Sequence, residues 1–281
     1  MGKKAYTLIE LLVVIAVITL LMGILMPVLS KARGQCRRIY CLSNLRQMVI
    51  AASTYTQIYD GYYPIAHYSQ TTNSEVIGYN WDFTTIKKLG ASEMEVVPGL
   101  LWQGQTIEKI QQCPSFKGNS ETSSNPFSGY NYNTSYIGHG EEEHVSAGYS
   151  GEIRRTMVEL MPGVLIEKKI IMPIKIDRVK RPGMCALFGD GGFGDDVNKF
   201  MRAPWQWDGD TDNSLKAAGT QAYRHANLTN VAWCDGHADS QKDLYTETTL
   251  QEKVKVDIYN ENDKYSKVGF LSPDNSAYDL K

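Results

Sequence analysis

Apolar residues dominate one end of the chain. In Lys3 to Leu29, KKAYTLIELLVVIAVITLLMGILMPVL, two lysines precede an aromatic residue, one acid stands at Glu10, and the nineteen residues from Leu11 to Leu29 carry no charge. At about 1.5 Å per residue, a helix of that length crosses a hydrocarbon core of roughly 30 Å. A buried soluble helix usually keeps a polar stripe, and here Thr19 is the sole polar break. The pattern therefore predicts a membrane-spanning helix. A secretory signal peptide ends a shorter apolar run at small residues, whereas this run reaches Pro27 and passes into a helical pattern. Pro27 has no N–H to donate and is expected to kink or locally melt the helix, with Gly23 adding looseness.

Beyond the run, Cys41, Leu45, Met48, Ala52, Tyr55 and Tyr59 step by four, three, four, three and four. That spacing places them in one seam, so the helix is expected to continue from Val28 to Tyr59 and dock on a globular domain. Asp60-Gly61 should end it. From Ile65 to about Lys180 the pattern is less regular. Tyr79 to Phe83 reads as a strand, Val96 to Trp102 as a weaker one broken by Pro98 and Gly99, and Thr106 to Gln112 as a short helix. Gly118 to Gly129 is rich in turn residues. Tyr130, Tyr132 and Tyr136 suggest an aromatic strand, for which cross-strand packing is a better account than a sugar-binding platform. Met184 to Gly189 reads as a buried strand before Asp190-Gly191-Gly192. Asn230 to Cys234, a turn at Asp235-Gly236 and a return strand from His237 make a hairpin. The tail from Gln251 to Lys281 is polar, with one strand expected at Val254 to Tyr259.

Composition narrows the class. With 281 residues, 42% hydrophobic and 21% charged, the part beyond the first helix is long enough for one sizeable domain. Net charge is −2, which gives no basic surplus to favour nucleic acid. Lys3 and Lys4 are answered by Lys31, Arg33, Arg37 and Arg38 beyond the run, so a positive-inside count alone places the carboxyl-terminal side in the cytoplasm. The five cysteines, Cys36, Cys41, Cys113, Cys185 and Cys234, contain no CxxC and match no zinc spacing. Buried free thiols and a single bridge both remain open.

Several constellations bear on chemistry. His139 and His144 bracket GEEE, but five residues apart they point about 140° from each other on a helix. A protease helix is rejected in favour of an exposed acidic loop. Gly148-Tyr149-Ser150-Gly151 fails as a nucleophile elbow because Glu152 stands where the closing glycine belongs. His225, Asp235 and His237 have the side chains of a metal site or a His–Asp acid–base pair. No nucleophile or third carboxylate is fixed by spacing, and a His–Asp pair that pins a turn is favoured. Asp208, Asp210 and Asp212 alternate so that their oxygens can converge on one calcium ion, although Asn213 and Gly219 break the EF-hand pattern. A solvated acidic loop is the competing account. Glu10 sits beside hydrocarbon, where a carboxylate is costly and is expected to have a named partner.

At Ala5, Tyr6, Thr7, Leu8, Ile9 and Glu10 the chain resembles the type IV prepilin and type II secretion pseudopilin family. Its members carry a small residue, usually glycine, then an aromatic, then TLIE or a close variant; here Ala5 takes the place of glycine. CLSNLRQ at Cys41 to Gln47, followed by Tyr59 to Pro64, resembles a large bacterial subgroup of these proteins, as does Cys113-Pro114-Ser115. His225, nine intervening residues and Asp235-Gly236 resemble the H-X9-DG signature near the carboxyl end of many chains with a TLIE start.

The resemblance implies cleavage between Ala5 and Tyr6 by a prepilin peptidase and N-methylation of Tyr6. Losing the leader removes two lysines and takes the net charge from −2 to −4. It further implies a single-pass protein of the bacterial inner membrane with its head in the periplasm, against the charge count. Glu10 would then pair with the α-amino group of a neighbouring subunit. Cys41 with Cys113 is the bridge the family layout suggests. Major pseudopilins carry a calcium loop near the carboxyl end, which would make Asp208, Asp210 and Asp212 ligands with Asp195 and Asp196 contributing. The expected architecture is an α+β, pilin-like fold with an antiparallel carboxyl-terminal sheet. Its parts are a leader at 1–5, a filament-core helix at 6–29, a docked continuation at 30–59, a variable region at 60–180, the sheet and hairpin at 181–250 and a tail at 251–281. The expected function is structural and non-enzymatic, in a secretion pseudopilus or pilus-like filament. Partners are copies of the chain, minor pilin-like subunits and an assembly platform. The alternative is a membrane-anchored extracytoplasmic enzyme or carbohydrate-binding protein that uses the helix as a tether.

Overall fold

The computed structural model describes residues 7–72, 74–102, 112–116, 128–141, 152–161, 164–192, 199–204, 220–246 and 267–281. Helix α1 runs from Leu8 to Ile58, 51 residues or about 76 Å. Thr7 caps it in a capping box. The Thr7 hydroxyl accepts from the Glu10 N–H, and the Thr7 N–H donates back to the Glu10 carboxylate at 2.8 Å. The helix continues unbroken through Pro27, so the expected melting does not occur.

The two halves of α1 differ in what they touch. The apolar half has none of its membrane-length window buried. In the second half Cys41, Asn44, Leu45, Met48, Val49, Ala52, Tyr55 and Thr56 are buried. That is the predicted seam with one correction, because Tyr59 is 47% exposed and lies just past the helix end, its ring stacked on Tyr55 at 4.1 Å. Asp60 (φ 52°) and Gly61 (φ 82°) turn left-handed there, and the Gly61 N–H reaches back to the Thr56 carbonyl at 2.7 Å. This is how a helix satisfies its last carbonyls, and glycine takes that conformation without a Cβ clash.

Thirteen strands follow among the described residues. Strands β1 (His67–Thr71), β2 (Glu75–Asn80), β3 (Phe83–Lys88) and β4 (Glu95–Pro98) form an antiparallel meander. The strand expected from Tyr79 to Phe83 is thus two strands, split at Trp81 and Asp82. Both side chains leave the strand pattern to be buried, Trp81 in the core and Asp82 in an ion pair with Lys199 at 3.0 Å. Beyond β4, Gly99 lies so close to the backbone of Asp82 that a Cβ would sit 2.4 Å from its carbonyl carbon. Strand β5 is Tyr130–Asn133, and β6 (Ile153–Met161) and β7 (Val164–Ile171) pair as a hairpin.

The remaining strands are β8 (Ala186–Asp190), β9 (Phe200–Met201), β10 (Gln221–Ala222), β11 (Thr229–Trp233), β12 (Ala238–Gln241) and β13 (Val268–Gly269). The central sheet has the order β12-β11-β8-β5-β9. It is antiparallel, as expected of the carboxyl-terminal sheet, except for the β5–β9 pair, which is parallel. The fold is α+β: a long amino-terminal helix and a head rich in antiparallel sheet. Helix α1 packs on β8, β11 and β12. Between helix and sheet, Trp81, Tyr132 and Phe188 cluster with ring centroids 5.1 to 5.7 Å apart. The tyrosines of β5 are accordingly core residues, as cross-strand packing required.

Candidate functional site

Two regions carry chemistry, one at the start of α1 and one where its second half meets the sheet. At the start, Glu10 is the single acid in a rod of exposed aliphatic side chains. Both of its contacts with Thr7, from the N–H at 2.8 Å and the hydroxyl at 3.0 Å, fall on Oε2. Glu10 therefore serves its own helix terminus in the single chain. Ala5 and Tyr6 lie outside the described residues, as do Asp195, Asp196, Asp208, Asp210 and Asp212 and the expected elements at 106–111 and 254–259.

The second region is built from four distant segments. Cys41 opens the buried face of α1, and Cys113 follows the segment 103–111. Asp190 ends β8, and His225 sits in the turn between β10 and β11. The Cys41 S–H donates to Cys113 Sγ at 3.1 Å. Cys113 Sγ lies 3.7 Å from His225 Nε2, and that nitrogen lies 3.3 Å from Asp190 Oδ2. All four side chains are buried, and their potential ligand atoms lie within 4.8 Å of one another. The two sulfurs stand beyond the roughly 2.05 Å of a disulfide, and both thiols are free.

Local structure explains each placement. His225 and Leu228 exchange both backbone hydrogen bonds around Ala226 (φ 56°) and Asn227 (φ 63°), a two-residue turn with both central residues left-handed. An alanine held at positive φ is uncommon and costs backbone strain. The turn presents His225 to the cluster. Asn44, one turn along α1 from Cys41, donates to the Gln112 carbonyl and to the Tyr130 hydroxyl, each at 3.1 Å. It ties the backbone at Gln112, next to Cys113, to the helix. Asp190 Oδ2 also accepts the Asn230 N–H at 2.7 Å, and the buried Arg224 guanidinium stands 3.9 Å from Oδ1 while donating to the carbonyls of Gly191 and Gly129.

These contacts shift the titrating groups. Burial pushes the Cys113 thiol up, but the Cys41 hydrogen bond, the Arg224 cation and His225 outweigh it and leave it below the usual thiol range. Cys41 goes up, because it donates its proton to Cys113 and is itself buried. Burial alone would lower His225, yet Asp190 and Cys113 raise it to about 9. The arrangement is a thiolate-forming pair facing a histidine and a carboxylate, with an arginine behind.

His225 does not join Asp235 and His237 in the site weighed against a turn-pinning pair. His225 and Asp235-Gly236 lie at opposite ends of β11. Asp235 instead pairs with His237 at 2.6 Å on the exposed turn, the pinning role favoured from sequence. Gly236 (φ 99°) closes the β11–β12 hairpin as expected. His139 does not lie in an exposed acidic loop: it is 7% exposed, and Glu141 is held by the Ser69 N–H at 2.6 Å and by Lys168 at 2.6 Å. A strand-like bridge from Gly140 to His67 draws that segment into the head.

Sequence reasoning missed Asn44, Asp190 and Arg224. Asn44 was signalled by its position three residues after Cys41 on the same helix face. Asp190 was signalled only as a carboxylate ending an apolar strand, and its neighbours depend on strand order.

Residues 1–26 match the model of the Prokaryotic N-terminal methylation motif. The chain thus carries the type IV pilin-like prepilin signature. No curated protein and no solved structure matches it.

Proposed function

We propose that this chain is a non-enzymatic filament subunit of a type II secretion pseudopilus or type IV pilus-like fibre, cut between Ala5 and Tyr6 and assembled through α1. One observation carries the reading. The helix that begins in the methylation motif exposes aliphatic side chains on every face from Leu8 to Leu29, then docks on the head through its second half. An exposed apolar surface of that extent demands a cover. A bilayer provides it before assembly and the helices of other copies provide it afterwards.

Glu10 sets the register in this account. Its Oε2 is engaged by Thr7, which leaves Oε1 for the amine that cleavage creates on a neighbouring Tyr6. In a low-dielectric helix bundle, a carboxylate is tolerated when an opposite charge answers it. Copies out of register leave both charges unpaired. The head lies on the periplasmic side of the inner membrane, and the assembly platform and minor pilin-like subunits are the remaining partners.

Replacing Glu10 with Gln in the native host tests the proposal. The variant is expected to insert and be cleaved normally but to form no filaments by electron microscopy of sheared surface or periplasmic material. Filaments at normal yield would sink the register role, and a cell that makes none even with the unaltered chain would favour a simple tether.

A further inference from the structure

We propose that Cys41, Cys113, Asp190 and His225 form a buried four-coordinate zinc site that fastens α1 to the central sheet. The chemistry of the donors selects the metal class. Two thiolates, one imidazole and one carboxylate suit zinc, whereas magnesium and calcium take oxygen shells.

Geometry supports the assignment. In a tetrahedral zinc site, with Zn–S near 2.3 Å and Zn–N and Zn–O near 2.0–2.2 Å, neighbouring donors stand roughly 3.3–3.8 Å apart. The 3.7 Å from Cys113 Sγ to His225 Nε2 and the 3.3 Å from His225 Nε2 to Asp190 Oδ2 fall in that range. The sulfurs, at 3.1 Å, need to part by about 0.7 Å, a rotamer-scale adjustment. A Cys41–Cys113 disulfide uses only two of the four groups. It leaves a buried histidine and carboxylate converging on the sulfurs for no purpose.

Charge gives a second argument. Zinc with two thiolates, one carboxylate and a neutral imidazole carries one net negative charge, and the buried Arg224 behind Asp190 offsets it. Asp190 Oδ1 faces Arg224 at 3.9 Å, while Oδ2, which accepts the Asn230 N–H at 2.7 Å, keeps a second lone pair for the metal. Binding releases the remaining thiol protons and the Nε2 proton of His225 to solvent, as both sulfurs become thiolates and the imidazole becomes neutral. Four protein donors leave no open coordination position, which marks the site as structural rather than catalytic. Cys41 and Cys113 lie 72 residues apart and Cys113 and His225 a further 112, which is why no zinc spacing shows in the sequence.

The test uses the full-length protein, reduced, stripped of metal and held in detergent micelles. On adding Zn²⁺ and desalting, plasma mass spectrometry is expected to find about one zinc per chain. Co²⁺ in its place is expected to give thiolate charge-transfer absorption and the intense visible bands of a four-coordinate ion. Cys113→Ser and His225→Ala should each lower retained zinc at least about tenfold, and Cys36→Ser, on the exposed face of α1, should leave it unchanged. The wild-type cobalt spectrum decides without any variant, so a misfolded substitution leaves the test intact. Reduced wild-type protein that retains neither metal, a six-coordinate cobalt spectrum, or loss of zinc in Cys36→Ser overturns the proposal. So does peptide mapping that finds a Cys41–Cys113 disulfide with no zinc uptake after its reduction. Filament formation plays no part in these readouts, so they stand whatever the Glu10 experiment returns.

Discussion

Truncating Leu45 to alanine tests whether the second half of α1 is truly docked. Leu45 is fully buried, packed in the cluster that holds Trp81, Trp102 and Phe188. Leu45→Ala removes three carbon atoms from that contact, worth about 2.4 kcal/mol at roughly 0.8 kcal/mol per buried methylene. A cavity at a fully buried position collapses only in part, so the total should approach 3–4 kcal/mol within the range known for such changes. The comparison is Ile50→Ala, on the opposite face and 65% exposed, where the change should stay within about 0.5 kcal/mol. Urea unfolding of the detergent-solubilised protein, followed by tryptophan fluorescence, reports on Trp81 and Trp102 in the same core cluster. The midpoint should fall for Leu45→Ala with the slope preserved. Equal midpoints for the two variants would mean that α1 does not pack on the head through this seam.

Two further predictions concern the head. His139 is buried and its pKa is depressed to about 4, so the folded state holds it neutral while the unfolded chain protonates it near its ordinary value. Its contribution is complete above about pH 6.5 and is lost as pH falls towards about 4, a loss of about 3 kcal/mol at 1.36 kcal/mol per unit. His139→Gly takes the backbone at φ 37° and ψ −159° without a Cβ clash, removes the titrating ring and should flatten the acid limb of a stability–pH profile; an unchanged limb refutes the assignment. Gly99→Ala forces a Cβ against the backbone of Asp82 and Phe83 and should destabilise by about 3 kcal/mol in thermal unfolding, with a wild-type Tm as the contrary result.

How far the molecule could be read from its sequence depended on the range of the interactions. Helix α1 was legible because an uncharged run and a four-three seam are local patterns. Tyr59 fell off the seam because the left-handed turn at Asp60-Gly61 ends the helix just before it. The β11–β12 hairpin followed from Asp235-Gly236, which sets its own turn. Strand β5 was visible as alternating tyrosines, but its parallel pairing with the two-residue β9 rests on contacts nearly 70 residues away in sequence, as the Thr134 to Met201 hydrogen bond shows. The buried cluster was half legible. Cys41, Cys113 and His225 each sat in a noticeable motif, yet their convergence on Asp190 follows from strand order, which spacing cannot reveal. The H-X9-DG pattern marks the hairpin, while a five-residue strand of roughly 17 Å holds its histidine and its Asp-Gly turn apart.

The central claim is that the apolar half of α1 survives maturation as the joining element of a fibre. Intact-mass measurement of the subunit recovered from assembled material tests it most directly. The account predicts a chain that begins at Tyr6 and carries one methyl group on its amine. A mature chain that begins beyond Leu29, or one that still begins at Met1 or Gly2, would contradict it.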